Sequence, residues 1–164
     1  MGTFARIVRR GIMIKIIDGD LLESGAGVIC HQVNCQGQMN SGVAKQIREK
    51  YPEVFEVYAK KYKEFPLGSV LFVETEDGKC IGNMFGQDNY GYDGKQYTSY
   101  EAIEQCLTNV YYHCKTYHKT AAFPYGLASV RGGASWDKIY EMIEYIFTKM
   151  DMEVDVEIWR FDKG

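Results

Sequence analysis

The sequence predicts an α/β protein in which helices cover both faces of one mixed sheet. Strand-like and helix-like segments alternate along the chain, one β-hairpin interrupts that alternation, and glycine-bearing loops follow several strands. With 164 residues, 46% of them hydrophobic, the chain is long enough for one globular domain with a full core. We expect that domain over residues 13–164, after a leader or tag-like extension over residues 1–12.

Composition narrows the classes of function. The net charge of −3 argues against broad attraction to nucleic acid, and no apolar run approaches the length that spans a membrane. The five scattered cysteines include no Cys-x-x-Cys pair, which indicates reduced thiols and a cytoplasmic protein. Cys114 and His118 would share a helix face, but two ligands do not make a structural zinc site. No metal is therefore predicted, and nothing in the sequence requires a cofactor.

The first half of the chain predicts strands followed by two helices. Residues 13–17 are a β-rich run ending at an Asp-Gly-Asp turn signal, and residues 21–24 continue it. Residues 28–33 are apolar and bounded by glycines, as a buried strand would be. A helix is predicted over residues 41–50, with its serine as the cap, and a second one starts at Pro52.

The second half predicts a hairpin and two further helices. Residues 70–74 and 80–85 form the hairpin, and a long polar loop follows over residues 86–97. The remaining elements are a helix capped by Thr98 or Ser99, a strand over residues 121–123, a helix that starts at Trp136, and a closing strand over residues 154–161.

Three loops are predicted to meet at one edge of the sheet, over residues 34–41, 86–97 and 126–135. Ligands of open α/β sheets collect outside the carboxyl ends of the strands. Two of the loops contain glycines and run into helix starts, where unpaired N–H groups and the helix dipole favour an anion. Together the loops predict a cleft for a phosphorylated ligand.

Four motifs accompany these loops, namely Ile17-Asp18-Gly19-Asp20-Leu21-Leu22, His31-Gln32-Val33-Asn34 with Met39-Asn40-Ser41-Gly42-Val43-Ala44, Asn83-Met84-Phe85-Gly86-Gln87, and Pro124-Tyr125 leading to Gly132-Gly133 and Trp136. In this order they resemble the macro domain, the ADP-ribose-binding α/β module. The resemblance extends in particular to small bacterial and phage proteins similar to ADP-ribose-1''-phosphate phosphatases and to macro domains that remove ADP-ribose from proteins or DNA. It implies a three-layer α/β/α sandwich with a mixed, mostly parallel central sheet.

The resemblance also implies roles for individual residues. Asp20 matches the acidic residue that binds the adenine amino group, although a turn aspartate would look the same. Asn34 and Asn40 match amides near the distal ribose, and an amide both donates and accepts. Phe161 resembles the aromatic residue that packs on adenine, with a core phenylalanine as the alternative. The implied ligand-binding set is Gly19, Asp20, Leu21, Asn34, Asn40, Ser41, Gly42, Val43, Ala44, Gln87, Ala128, Ser129, Val130, Arg131, Gly132 and Phe161.

The loop after Pro124-Tyr125 departs from the family pattern. Relatives carry a run resembling Ile-Gly-Cys-Gly-x-Gly-Gly-Gly-Asp-Trp. Here Ala128 and Val130 stand where glycines are expected, and a β-branched residue is a poor substitute where φ > 0 is required. Ser135 replaces the acidic residue, so a general acid or base expected there is missing.

Catalysis by a covalent lysine adduct, known in some relatives, is disfavoured. Gln87 stands in place of that lysine and cannot act as an amine nucleophile, so only Lys95 from the same loop could replace it. The catalytic candidates for activating a water or holding the distal phosphate are therefore Asn34, His31 and Asp88.

The leading interpretation is an ADP-ribose-binding macro domain that hydrolyses ADP-ribose-1''-phosphate or ADP-ribosyl adducts through a positioned water. The alternative is a non-catalytic reader of ADP-ribose or ADP-ribosylated partners, which the changes at residues 128, 130 and 135 favour. A third interpretation, a binder of single-stranded nucleic acid using stacked tyrosines, conflicts with the acidic charge balance. The predicted partner is ADP-ribose or an ADP-ribosylated substrate, without a membrane or nucleic acid, and no oligomeric state is predicted.

Overall fold

A computed structural model describes residues 3–9, 12–150 and 152–161. The strands are β1 (Thr3–Arg9), β2 (Ile12–Asp18), β3 (Val28–Asn34), β4 (Val70–Glu74), β5 (Cys80–Gln87), β6 (Ala121–Pro124) and β7 (Val156–Arg160). The helices are α1 (Gly42–Lys50), α2 (Pro52–Lys61), α3 (Tyr100–Tyr117) and α4 (Trp136–Lys149), with 3₁₀ turns at Leu21–Glu23 and Tyr62–Glu64.

The strands described form one sheet in the order β1-β2-β7-β6-β3-β5-β4. The four inner pairings, from β2–β7 to β3–β5, are parallel, whereas the outer pairings β1–β2 and β4–β5 are antiparallel. The sheet is therefore mixed and mostly parallel, and the predicted β4–β5 hairpin is confirmed.

Helices cover both faces of this sheet, which confirms the predicted three layers. Along β3, Val28 and Cys30 join the core under α3 and α4, whereas Ile29 and Val33 join the core under α1 and α2. Side chains alternate across a strand, and a strand buried on both faces is apolar throughout. The near-continuous apolar run of β3 therefore reflects its central position, where the functional edge is built.

The buried face of α3 agrees with its apolar spacing in the sequence. The seven α3 residues buried against the sheet are Ala102, Ile103, Cys106, Leu107, Val110, Tyr111 and Cys114. The Ser99 hydroxyl caps this helix by accepting from the Ala102 N–H. No helix within the described ranges is both long and apolar enough to cross a membrane.

Four of the five cysteines lie in the core under α3 and α4, at Cys30, Cys80, Cys106 and Cys114. All five are free thiols, and burial raises the pKa of each of these four. The fifth, Cys35, is half-buried beside the loop after β3.

Several predicted elements differ from the structure. Residues 21–24 do not continue β2, because the Asp20 carboxylate accepts from the Leu22 N–H and starts a 3₁₀ turn at Leu21–Glu23. The closing strand stops at Arg160, and Ser41 makes no side-chain capping bond to α1. The first strand is β1, earlier than expected, and its pairing with β2 does not test the predicted leader origin of residues 1–12.

Candidate functional site

The three loops predicted to converge surround one cavity of about 320 Å³, outside the carboxyl ends of β3, β5 and β6. Most of the predicted site residues line it, namely His31, Asn34, Asn40, Ser41, Gly42, Val43, Ala44, Gln87, Ala128, Val130, Arg131 and Gly132. Six do not, namely Gly19, Asp20, Leu21, Asp88, Ser129 and Phe161. The cavity contains no Asp or Glu among the described residues that line it.

The start of α1 offers main-chain donors to this cavity. Gly42 begins the helix with φ +59, and a Cβ there would meet nothing within 4 Å. Glycine is therefore required by its backbone conformation rather than by space. The N–H groups of Gly42, Val43 and Ala44 lie in the first turn, where helical geometry gives them no partner, and all three residues line the cavity. This arrangement suits a phosphate without a charged side chain.

The side chain of Asn34 shapes the loop after β3. Its Oδ1 accepts from the N–H groups of Gln36 and Gln38 at 3.0 and 3.3 Å, and its Nδ2 donates to the Gln38 carbonyl at 3.0 Å. The hydroxyl of the buried Tyr58 lies 2.6 Å from the Asn34 carbonyl and 3.0 Å from Oδ1. Asn34 thus faces the cavity with its amide already engaged, which makes it a positioning group for the loop.

His31 lies under the cavity, only 1% exposed. Its Nε2 is 2.6 Å from the Asn83 Oδ1, and the Asn83 amide nitrogen donates to the Leu71 carbonyl. The Asn83 oxygen is thus the acceptor, which assigns the proton to His31 Nε2 and leaves a lone pair on Nδ1. That Nδ1 has no hydrogen-bond partner among the described residues. Burial lowers the pKa of His31 to about 4, so the ring is a neutral acceptor and a weak base at pH 7.

A buried polar network connects the other two loops. Gln32 donates through Nε2 to the Gln87 Oε1 at 2.6 Å and to the Thr98 Oγ1 at 2.9 Å. Thr98 in turn donates to the Ala128 carbonyl, and Gln87 donates to the Asn89 carbonyl. Gln87 therefore fixes the loop after β5. Gln32 was not among the predicted site residues, although a glutamine within an apolar strand was its signal.

The loop between β6 and α4 keeps a left-handed residue without the expected glycine. Ala128 has φ +66, whereas Val130 has no positive φ and is 82% exposed. Of the two positions where a glycine is expected, residue 128 alone has the left-handed conformation. Alanine there lowers stability by about 1 kcal/mol relative to glycine. Gly132 is needed for space, because a Cβ there would lie 2.0 Å from the Thr98 Oγ1 and 2.5 Å from the Ala128 carbonyl oxygen.

Arg131 extends from the same loop across the cavity mouth. Its guanidinium carbon lies 4.8 Å from the ring centroid of Tyr92, a residue of the loop after β5. Both residues are exposed, and both line the cavity. Tyr90 lies beside Tyr92 with its ring at 69°. The two loops therefore meet through a cation–π contact.

The predicted site residues outside the cavity include residues near the ends of β2 and β7 and one residue of the loop after β5. Asp20 is occupied in capping its 3₁₀ turn, and the Gly19 N–H donates to the Arg160 carbonyl. Phe161 follows β7 and is 61% exposed, so the alternative of a core phenylalanine is wrong. Asp88 is exposed and accepts through its carbonyl from the Cys35 N–H.

Ser129, a predicted ligand-binding residue, and Ser135, which stands at the family's acidic position, both serve structure. The Ser129 hydroxyl donates to the Gly126 carbonyl, and the Ser135 hydroxyl accepts from the Lys138 N–H as the cap of α4. Within the described ranges, no three His, Cys, Asp or Glu side chains group closely enough to hold a metal ion.

Several known proteins match parts of the sequence. Over 65 residues the chain is 38% identical to the DNA ADP-ribosyl glycohydrolase of Mycobacterium tuberculosis, which covers 38% of this chain and 18% of that protein. Over 95 residues it is 30% identical to the ADP-ribose 1''-phosphate phosphatase of Meyerozyma guilliermondii, which covers 52% of this chain and 53% of that protein. The aligned part therefore spans about half or less of each of these relatives.

Solved structures extend the likeness to nearly the whole chain. The macrodomain of Mycobacterium tuberculosis DarG matches with a TM-score of 0.75 at 27% identity, over 88% of this chain and 96% of that one. Thermosipho africanus DarTG in complex with ADP-ribose has a TM-score of 0.77 over 97% of this chain and 43% of that one, and its 19% identity shows the fold alone. A family model described as Macro domain matches residues 30–143, more than half of the sequence. In agreement with its motifs and its three-layer fold, the chain belongs to the macro domain family.

Proposed function

We propose that this macro domain binds ADP-ribose in its cavity and hydrolyses ADP-ribose derivatives. The observation that carries the proposal is the start of α1, where Gly42 turns a row of free main-chain donors into the cavity. A diphosphate bound there would need no positively charged side chain. The names of the mycobacterial and yeast relatives support ADP-ribose as the shared part of the substrate.

The rest of the ligand can be assigned from the neighbouring groups. The exposed Asn40 lies on the loop next to the helix start, which suits hydroxyls of the distal ribose, and Asn34 positions that loop. Asp20 and the exposed Phe161 lie beyond the cavity at the ends of β2 and β7, which suits adenine. Tyr125 links the two areas, because it lines the cavity and its ring centroid lies 5.7 Å from the Arg160 guanidinium.

Hydrolysis would use a positioned water rather than a covalent adduct. Gln87 is held by Gln32 and offers no amine, and the neutral His31 can accept one hydrogen bond at Nδ1. The donors at the start of α1 would hold the diphosphate and so orient the distal ribose toward that water. The five free thiols favour a cytoplasmic location for the reaction.

Calorimetric titration with ADP-ribose tests the binding site, using Gly42→Ala as the variant. Alanine at φ +59 distorts the start of α1, so we expect affinity to fall about tenfold or more. Gly78→Ala is the matched control, because Gly78 also has positive φ, at +86, with nothing within 4 Å of an added Cβ, but lies in the β4–β5 turn. Equal affinity for the wild type and Gly42→Ala would remove the assignment of the diphosphate to α1.

The non-catalytic reader is the second candidate, and one observation favours it. No carboxylate belongs to the described lining of the cavity, and Ser135, at the family's acidic position, is used as a helix cap. Phosphate release from ADP-ribose-1''-phosphate and release of ADP-ribose from ADP-ribosylated protein and DNA separate the two candidates. Binding without turnover of any of these substrates selects the reader.

A further inference from the structure

Among the described residues that line the cavity, Arg131 is the one that carries a full charge at pH 7. The other described side chains that line the cavity are apolar, hydroxyl, amide or phenol groups, apart from His31. His31 is buried and stays neutral at pH 7 because burial lowers its pKa to about 4. Arg131 has no salt-bridge partner among the described residues, so its charge is available to a ligand.

Tyr92, a residue of the opposite loop, contacts this charge. The Tyr92 ring lies under the guanidinium at 4.8 Å, and cation–π contacts leave the edge of the guanidinium plane open for hydrogen bonds. That edge has the fork of donors that matches a phosphate group. An arginine without a carboxylate partner, held by an aromatic ring at a cavity mouth, therefore has the chemistry of an anion subsite.

Arg131 and the donors of α1 reach the cavity from different loops. The α1 donors are uncharged main-chain N–H groups from Gly42 onward, contributed by the loop after β3. Arg131 comes from the loop after β6, where the family pattern has a glycine-rich run. A ligand that carries a diphosphate at α1 and a further phosphate elsewhere can engage both.

We propose that Arg131, positioned by Tyr92, determines specificity by binding a phosphate group attached beyond the distal ribose of ADP-ribose. This inference rests on the proposed function. The phosphate can be a terminal monoester or the first phosphodiester of an attached nucleic acid, since both present the same oxygens to the guanidinium.

The test compares affinities for three ligands by calorimetry. They are ADP-ribose, its non-hydrolysable 1''-phosphonate, and ADP-ribose joined by a non-hydrolysable link to a short single-stranded oligonucleotide. We expect the wild type to bind at least one phosphate-bearing ligand about tenfold tighter than ADP-ribose, as a charge-assisted contact provides. A gain with the phosphonate alone assigns the terminal monoester, and a gain with the oligonucleotide assigns the phosphodiester.

The variants isolate the charge and its support. Arg131→Gln should abolish the gain and weaken the binding of the phosphate-bearing ligands more than that of ADP-ribose, whereas Arg131→Lys should keep part of the gain. Lys138→Gln removes an equal charge from α4, outside the cavity, and should change nothing. Tyr92→Phe should keep the gain because the ring remains, and Tyr92→Leu should reduce it severalfold.

Two results overturn the inference while ADP-ribose binding stands. In the first, the wild type binds all three ligands equally. In the second, Arg131→Gln weakens ADP-ribose itself as much as the other ligands, which would place the arginine on the diphosphate. If the wild type fails to bind ADP-ribose at all, the proposed function is wrong and the inference falls with it.

Discussion

The loops after β3 and after β6 reach the same cavity, but they are held in different ways. The loop after β3 is closed from within by Asn34, with Tyr58 of α2 supporting it from below. The loop after β6 depends on Thr98, a residue of another loop, which donates to the Ala128 carbonyl. The first arrangement is local except for the Tyr58 hydroxyl, and it follows the family motif. The second relies on a long-range bond, and it accompanies a left-handed residue at Ala128, where the family pattern has a glycine.

Of the substitutions that test how these two loops are held, Gly132→Ala should lower the free energy of unfolding most. The new Cβ would collide with the Thr98 Oγ1 and with the Ala128 main-chain oxygen, which cannot move away easily. We expect the free energy of unfolding to fall by about 3 kcal/mol, the upper end for overpacking. Urea denaturation measures the change. Gly25→Ala is the control, because a Cβ at Gly25 would meet nothing within 4 Å; an equal loss in both variants would contradict the clash.

The next largest effect is a pH dependence of the free energy of unfolding, which arises from His31 under the cavity. The pKa of His31 is about 4 in the folded protein and 6.5 ordinarily, so the unfolded chain binds the proton first as the pH falls. Stability is therefore complete above pH 6.5 and decreases toward pH 4, by about 2 kcal/mol between pH 8 and pH 5. Unfolding curves at several pH values measure this slope. His31→Gln should remove it, and an unchanged slope in that variant would assign it to other groups.

Tyr58→Phe tests the support of the first loop. It removes the hydroxyl that donates to Asn34 without changing the ring packing, so we expect a loss of about 1.5 kcal/mol. Affinity for ADP-ribose should fall as well, because the loop that carries Asn34 loosens. Tyr145→Phe is the control, since Tyr145 is 60% exposed and belongs to α4. The same loss in the control would exclude a specific contribution from the buried hydroxyl.

The smallest effect is a gain from Ala128→Gly. Glycine relieves the positive φ of Ala128, and we expect the free energy of unfolding to rise by about 0.5 to 1 kcal/mol. Ala134→Gly is the matched control, because Ala134 is buried in the same loop without positive φ and should lose stability. Thermal unfolding of both variants should show a rise in stability for Ala128→Gly and a fall for Ala134→Gly. A loss in Ala128→Gly would mean that Thr98, rather than local strain, determines the energy of the turn.

Local patterns predicted much of the fold. The apolar spacing of α3, the hairpin turn between β4 and β5, and Pro52 at the start of α2 each depend on nearby residues. The sequence also located the loops around the cavity, because strand ends and helix starts are readable from glycines and caps. These features need no knowledge of distant partners.

Long-range partners explain what could not be predicted. The Tyr58 hydroxyl meets Asn34 across 24 positions, and Gln32 meets Thr98 across 66, so neither contact leaves a local pattern. Tyr58 is fully buried, and no residue near it in the sequence indicates the partner of its hydroxyl. The strand β1 was missed for a similar reason, because it is defined by its pairing with β2.

The positions of the thiols allow thiol modification to report on local and global opening of the protein. Cys30, Cys80, Cys106 and Cys114 are enclosed under α3 and α4, so a colorimetric thiol reagent reaches them only when that layer opens. Cys35, next to Asn34, is open to solvent in part and should react first. The slow phase of modification would then measure opening of the layer under α3 and α4, and the fast phase would measure motion at the rim of the cavity. Both come from one experiment without an engineered label.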